Sequence, residues 1–136
     1  MKIAICGSMS FAKEMLVVRD RLVQAGHTAI LPHDAATYAN DPSKLETKWE
    51  KSEQDLIRNY FKEIETSDAI LVLNMTKDGI ANYVGGNAFL EMGFAHVLNK
   101  TVYLYNPVPE LPYRDEMIAM QPVVLSGNLS LLYEKT

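Results

Sequence analysis

Cysteine is nearly absent: the chain carries only Cys6, so no intrachain disulfide can form and a cross-linked scaffold is excluded. Cys6 closes the apolar run Ile3-Ala4-Ile5-Cys6 and reads as a small buried residue rather than a reactive thiol. A lone cysteine also fits a reducing compartment. Basic residues are short as well, 13 Lys and Arg against 17 Asp and Glu, for a net charge of -4. A protein that grips a phosphate backbone needs a basic surface, so no nucleic acid polymer is expected as a partner. A small nucleotide stays open, because backbone N–H groups can hold one phosphate without side-chain charge. No apolar run approaches the roughly 20 residues of a membrane span, and no membrane partner is expected. Lys2 is followed by a short strand-like run and a glycine, which does not read as a secretory leader; the expected location is cytoplasmic. His27, His33 and His96 show no metal-ligand spacing, so neither a metal nor another cofactor is expected.

What is present alternates between two periods. Residues 2–6 form a short apolar run of the kind buried on both faces of a parallel sheet. Gly7-Ser8-Met9-Ser10 breaks it, and Phe11, Met15, Val18 and Leu22 then recur at spacings of four, three and four, the stripe of a helix. Ser10 is the expected N-cap, and Gly26 the C-terminal stop. A second strand follows at Thr28–Leu31. A polar connection runs from His33 to about Leu45, with turn chemistry at Asn40-Asp41-Pro42-Ser43; His33-Asp34 at its start reads as solvated loop more readily than as the border of a pocket. A second helix is expected from about Glu46 to Glu65, with Glu53, Ile57, Tyr60, Phe61 and Ile64 inward. Ala69–Leu73 is the clearest strand, wholly apolar and branched. After a loop from Asn74 to Gly86, a third helix is expected at Asn87–Leu98 with Leu90, Phe94, Val97 and Leu98 buried. Strand Thr101–Tyr105, a short helix near Tyr113–Met120 and a strand at Val123–Leu125 complete the pattern.

Strands alternating with helices require right-handed crossovers. The expected fold is α/β: a five-stranded, doubly wound parallel sheet of flavodoxin-like order 2-1-3-4-5, three layers deep, in a single domain spanning 1–136. Ligands in such sheets bind beyond the carboxyl ends of the strands at the switch point. That places interest on Gly7-Ser8-Met9 and on the segment Tyr83-Val84-Gly85-Gly86-Asn87. The first is a glycine turn that lets a ligand approach the backbone, or merely a tight, serine-capped turn. Glu91 follows the paired glycines and is either an exposed acid favoured by the helix dipole or a functional carboxylate. Gly93 inside a helix costs about 1 kcal/mol relative to alanine, which suggests close packing or close ligand approach there. Asp68, just before the strongest strand, reads as a cap or as a site acid.

Together the Gly-Ser turn, the apolar strand opening at Asp68 and the block Glu91-Met92-Gly93-Phe94-Ala95 resemble the nucleoside 2-deoxyribosyltransferase family, which includes deoxynucleoside 5'-monophosphate N-glycosidases. The resemblance runs in order from the first strand to about Met120. It implies cleavage or transfer of the N-glycosidic bond of a nucleoside or nucleotide, with Glu91 as an ionised nucleophile. It also implies that Gly7, Ser8 and Met9 line the sugar or phosphate end, and that Asn82, Tyr83, Gly86 and Asn87 surround the sugar. Asp115-Glu116-Met117-Ile118 resembles a segment that reaches a neighbouring subunit's site, so a homo-oligomer is implied. The chain departs from the pattern in three places. The family's second acid usually stands about eight residues ahead of the Asp68 position, where this sequence has Tyr60; Tyr60 cannot serve as a carboxylate but is expected to orient Glu91 through its hydroxyl, and with Glu91 and Asp68 it makes up the expected catalytic set. The Asn74–Gly86 loop is longer than in the monophosphate hydrolases. Asp115 and Glu116 stand where those hydrolases offer a phosphate-binding serine; two acids would repel a monophosphate, so a nucleoside or another ribosyl compound is as plausible a substrate. The alternative is a non-catalytic nucleoside- or nucleotide-binding domain on the same scaffold.

Overall fold

The structure, a computed structural model, describes residues 1–41 and 53–133. Five strands, β1 (Lys2–Cys6), β2 (Thr28–Ile30), β3 (Ala69–Val72), β4 (Thr101–Leu104) and β5 (Val123–Val124), form one sheet in the order β2-β1-β3-β4-β5. All four pairings are parallel, as the sequence pattern predicts. Among the described residues six helices accompany them: α1 (Ala12–Gln24), α2 (Ala35–Asn40), α3 (Glu53–Glu65), α4 (Gly86–Val97), α5 (Arg114–Ala119) and α6 (Ser130–Tyr133).

The period of two in the central strands sorts their side chains onto two faces. Ile3, Ile5, Leu71, Leu73 and Tyr103 point to one face and bury Met15, Val18 and Leu22 of α1, with Leu125, Leu129 and Leu132. Ala4, Cys6, Ile70, Val72, Val102 and Leu104 point to the other and bury Tyr60 and Ile64 of α3, Ala88, Met92 and Ala95 of α4, and Met117 of α5. Burial on both faces explains why these strands read as unbroken apolar runs. It also places Cys6 on the face covered by α3 and α4, the helix that carries Glu91.

Four expectations need correction. Ser10 is not the cap: Ser8 caps a 3-10 turn at Met9–Phe11, and its side chain accepts from the Ser10 amide. The stretch after His33 is not all connection, because Ala35, Tyr38 and Ala39 bury one side of the six-residue α2, which lies against Ala12 and Leu16 of α1. The inner stripe of α4 is Ala88, Met92 and Ala95, whereas Leu90 and Val97 are 46% and 79% exposed. Ala88 and Ala95 let the helix approach the sheet closely; Phe94 and Leu98 are partly buried and pack against the same core, as expected, and only Leu90 and Val97 of the expected stripe are turned outward. Gly93 makes no close approach: nothing lies within 4 Å of the position its Cβ would take. The expected start of the second helix near Glu46 and the turn residues Pro42 and Ser43 lie outside the described residues.

Beyond β3 the backbone is held by a side chain. Asn74 is fully buried. Its Nδ2 donates to the carbonyls of Asn106 (2.8 Å) and Pro107 (3.1 Å), and its Oδ1 accepts from the Asn106 amide at 2.8 Å. Asn106 Nδ2 returns a bond to the Asn74 carbonyl at 3.0 Å. The loops leaving β3 and β4 are therefore clamped to each other at the end of the sheet where a ligand is expected. Asn74→Ala strands several of these groups away from water, so unfolding in urea should show a loss of about 2–3 kcal/mol with an unchanged m-value.

Candidate active site

A cavity of about 330 Å³ opens beyond the carboxyl ends of β1 and β3, within the range of small-molecule sites. Its walls come from five places: the turn Gly7-Ser8-Met9 after β1, the Pro32-His33-Asp34 segment after β2, Tyr38 of α2, Leu56, Ile57 and Tyr60 of α3, and, after β3, Lys77, Tyr83, Gly85 to Ala88 and Glu91. This is the switch point of the sheet, where crossovers leave β1 in opposite directions and a crevice is unavoidable.

Gly7 makes the floor possible. Its φ is +150°, and a Cβ there would lie 3.0 Å from the Leu73 carbonyl and 3.2 Å from Met15 Cε. The Leu73 amide donates to the Cys6 carbonyl at 2.8 Å, so the ends of β1 and β3 touch backbone to backbone at this point. Gly85, in extended conformation, caps α4, and its Cβ position is only 3.1 Å from the Tyr83 ring.

Glu91 sits on the same side of α4 as Ala88, Met92 and Ala95, at the helical spacings that make one inner face. The sheet ends at Cys6 and Val72, so this acid, above Met92, meets the cavity instead of a strand. It lines the cavity with Ser8 and Tyr60. Burial raises its carboxyl from 4.5 to about 7, and a hydrogen bond from the Cys6 thiol pulls it partly back down. The Cys6 thiol is itself pushed well up, first by burial and then by the neighbouring carboxylate, so it keeps its proton and acts as donor. Its contact with the Ala4 carbonyl is long at 3.9 Å, which leaves the carboxylate as the better acceptor. The expectation that Glu91 simply stays ionised is corrected here. Glu91 lies beyond the first turn of α4, where the favourable field of a helix N-terminus has faded, and desolvation wins.

Tyr60 is buried against the cavity, and its phenol is pushed well up by burial. Its hydroxyl donates to the Ile5 carbonyl and lies 3.2 Å from the Ile30 carbonyl. One hydroxyl proton engaged with the backbone is not available to orient Glu91, so Tyr60 braces the β1–β2 edge beneath the site. Asp68 is not brought to the cavity. It stands at the opposite, amino-terminal end of the sheet, where Oδ2 accepts from the Lys2 amide at 2.7 Å and its own amide donates to the Lys2 carbonyl at 2.7 Å. Gly7, Ser8, Met9, Tyr83, Gly86 and Asn87 line the cavity, but Asn82 does not. Asn82 lies at a turn with φ +58° and faces a separate hollow with Val108 and Pro109.

Sequence reasoning missed Lys77 and Tyr38 and gave little weight to His33 and Asp34, all of which reach the cavity. His33 Nε2 lies 3.6 Å from Asp34 Oδ1. Only the length of the Asn74–Gly86 loop pointed toward Lys77. Among the described residues no group of three or more His, Cys, Asp or Glu could hold a metal ion, and no helix is long and apolar enough to cross a membrane.

Fold and site together define a class: a flavodoxin-like parallel α/β protein whose switch-point crevice presents a half-buried carboxylate from the helix after β3. Among solved structures, the chain is similar to a 2-deoxyribosyltransferase from the psychrotolerant bacterium Bacillus psychrosaccharolyticus, an enzyme described as a biocatalyst for nucleoside synthesis. The TM-score is 0.55 at 19% identity, over 82% of this chain and 76% of that one. At that identity the likeness is one of fold. No family model and no curated protein matches the sequence.

Proposed function

We propose that this protein cleaves or transfers the N-glycosidic bond of a nucleoside or nucleotide, with the Glu91 carboxylate as nucleophile. The observation that carries the reading is the position of Glu91 on the wall of the switch-point cavity, facing the space above Gly7 and Ser8. The shared fold with a 2-deoxyribosyltransferase supports a nucleoside as the ligand.

In this reading a Glu91 oxygen attacks the anomeric carbon and forms a glycosyl ester. The C–N bond breaks, and the base leaves with the bonding pair and takes a proton from solvent. Water, or the nitrogen of a second base, then attacks the same carbon and gives up its proton to solvent, the bond from that carbon to the Glu91 oxygen breaks, and the carboxylate is restored. Two displacements at one carbon retain its configuration. The Cys6 hydrogen bond orients the free carboxylate before attack, and the apolar walls from Leu56, Ile57 and Ala88 limit its hydration, which keeps a weak nucleophile reactive.

A slow 2-fluoro-2-deoxynucleoside should glycosylate the protein stoichiometrically, with the added glycosyl mass located on the peptide containing Glu91. An intact probe and an unmodified peptide under conditions where the probe binds would overturn the mechanism. Because only the ionised carboxylate attacks and its value is raised to about 7, kcat/KM should rise with pH up to about 7 and level off above it. A rate already flat from pH 5 upward would assign the reaction to another group.

One observation favours a second reading, a domain that binds a nucleoside without cleaving it. Tyr60 occupies the place of a second acid, its hydroxyl is committed to Ile5, and Asp68 lies at the far end of the sheet. A ligand that raises the melting temperature and is recovered unchanged after long incubation supports this second reading.

A further inference from the structure

We propose that Tyr113 is a positioning residue for Glu91: it splints the Gly85-Gly86 hinge through which α4 enters the cavity wall, its hydroxyl holding the backbone before the hinge and its ring the helix after it. The splint stands on the geometry alone; its bearing on a reaction rests on the reading of Glu91 given above.

A pair of glycines is a loose way to start a helix that carries a reacting group. Neither residue has a side chain to restrict its backbone. Gly85, the N-cap of α4, makes no side-chain cap, so the usual tether of a first turn is missing. Nothing lies within 4 Å of the place a Cβ of Gly86 would take, so close contact does not hold that residue either. Gly85, Gly86 and Asn87 all line the cavity, and Glu91 lies on the next turn of α4. A change in the angle at which α4 enters would therefore swing the carboxylate relative to the Gly7-Ser8-Met9 turn.

Tyr113 removes that freedom. Its hydroxyl donates to the Val84 carbonyl, immediately before Gly85. Val84 is fully buried, where a carbonyl needs a partner from the protein. The Tyr113 ring meets Phe89, just beyond the glycines, with 4.7 Å between centroids and 39° between planes. Phe89 is itself tied back across the hinge, its amide donating to the Gly85 carbonyl at 2.9 Å. One side chain thus grips both sides of the glycine pair.

The splint is anchored at its own base. Tyr113 immediately precedes α5, and the Met117 amide donates to the Tyr113 carbonyl at 3.2 Å. Met117 is fully buried in the cluster that holds Met92 and Ala95 of α4, and Tyr113 packs against that cluster. Asp115 and Glu116 of the same helix are exposed and do not line the cavity. Burial pushes the Tyr113 phenol up, and the neighbouring Tyr83 adds to it, so the donor keeps its proton at neutral pH. Tyr83 lines the cavity and Tyr113 does not. The Tyr83 ring lies 3.1 Å from the Cβ position of Gly85, so the hinge is held from the cavity side as well as from the core.

The test compares Tyr113→Phe, which keeps the ring and loses the hydroxyl, with Tyr113→Leu, which loses both. Base release from the common 2'-deoxynucleosides and their 5'-monophosphates is measured beside amide hydrogen exchange of the free protein by NMR. Tyr113→Phe should lower kcat about ten- to a hundredfold and change KM by less than about threefold, because the binding wall is kept and only the aim of the carboxylate is relaxed. The Phe89 amide should exchange about tenfold faster, while Leu71 and Val72 of β3 exchange as in the wild type. Wild-type kcat in Tyr113→Phe, whatever Tyr113→Leu does, reduces Tyr113 to a packing residue and overturns the proposal. Exchange that quickens at Phe89 and in β3 alike marks a general loss of stability and overturns it too. A lower kcat with unchanged exchange at Phe89 overturns the splint and leaves Glu91 as nucleophile untouched. Faster exchange confined to Phe89, in a protein that releases no base from any of these compounds, sustains the splint and removes the glycosyl-transfer reading.

Discussion

Glu91→Gln should lower base release by about a thousandfold or more while leaving a folded protein that still binds its ligand. An amide is nearly isosteric with the carboxyl, so the cavity wall and the contact with Cys6 are kept, but amide oxygen cannot form the glycosyl ester that splits the reaction into two steps. The same substitution has a stability signature that separates a chemical effect from misfolding. Burial raises the carboxyl from 4.5 to about 7 in the folded protein, so the folded state holds this proton more tightly than the unfolded chain. The associated stability is fully present below about pH 4.5 and is lost as pH rises to about 7. Above that the wild-type protein carries an ionised, poorly solvated carboxylate at a cost of at most about 3 kcal/mol. Glu91→Gln removes that cost, so the variant should gain on the wild type in urea melts at pH 8 and show little difference at pH 4.5. A variant with near wild-type turnover would end the nucleophile assignment. A stability difference that does not vary with pH would show that Glu91 faces water more freely than the cavity geometry implies.

The large stretches of the fold were legible because their physics is local. Ile3-Ala4-Ile5-Cys6 and Ala69-Ile70-Leu71-Val72 are buried on both sides, and only central parallel strands demand unbroken apolar runs of that length. The alternation with helices then leaves few topologies, and the observed order is the expected one. The face of α4 was read only in part: Phe94 and Leu98 pack against the core as expected, but Leu90 and Val97 were assumed to point inward as well. Helix-to-sheet contact at the switch point instead favours Ala88 and Ala95, and leaves Leu90 and Val97 outside. Once Ala88, Met92 and Ala95 are taken as the inner stripe, Glu91 falls on it too, and an acid on an inner stripe is the sequence signal for a functional carboxylate. The place of Lys77 in the cavity wall had no such signal. It depends on a turn whose Asp78 and Gly79 take positive φ and on a bond to the Ser8 hydroxyl, 69 positions away in sequence. Asp68 was misleading for the opposite reason: its proximity to the clearest strand is real, but at the amino-terminal end, away from the crevice.

Gly7→Ala should cost the fold about 2–4 kcal/mol, a drop in melting temperature on the order of 10 °C. Two penalties act at one atom. The φ of +150° is a region that L side chains rarely adopt, and the new Cβ would sit 3.0 Å from the Leu73 carbonyl oxygen. That oxygen belongs to backbone tied to the end of β1 by the bond from the Leu73 amide to Cys6, so it cannot move aside without opening the β1–β3 junction. Met15 Cε at 3.2 Å can yield more readily, because a flexible thioether repacks at small cost. Gly26→Ala separates the penalties: its φ is +96° with nothing within 4 Å, so it should lose only the conformational part, about 1 kcal/mol. Gly93→Ala should go the other way and gain up to about 1 kcal/mol, because it lies inside α4 with open space at its Cβ. The ranking Gly93→Ala above wild type, then Gly26→Ala, then Gly7→Ala is what chemical denaturation should return. A Gly7→Ala protein as stable as Gly26→Ala would mean that the two strand ends are not pressed together as described. The floor on which Ser8 is presented to Lys77, and beside which Glu91 opens, would then have to be redrawn.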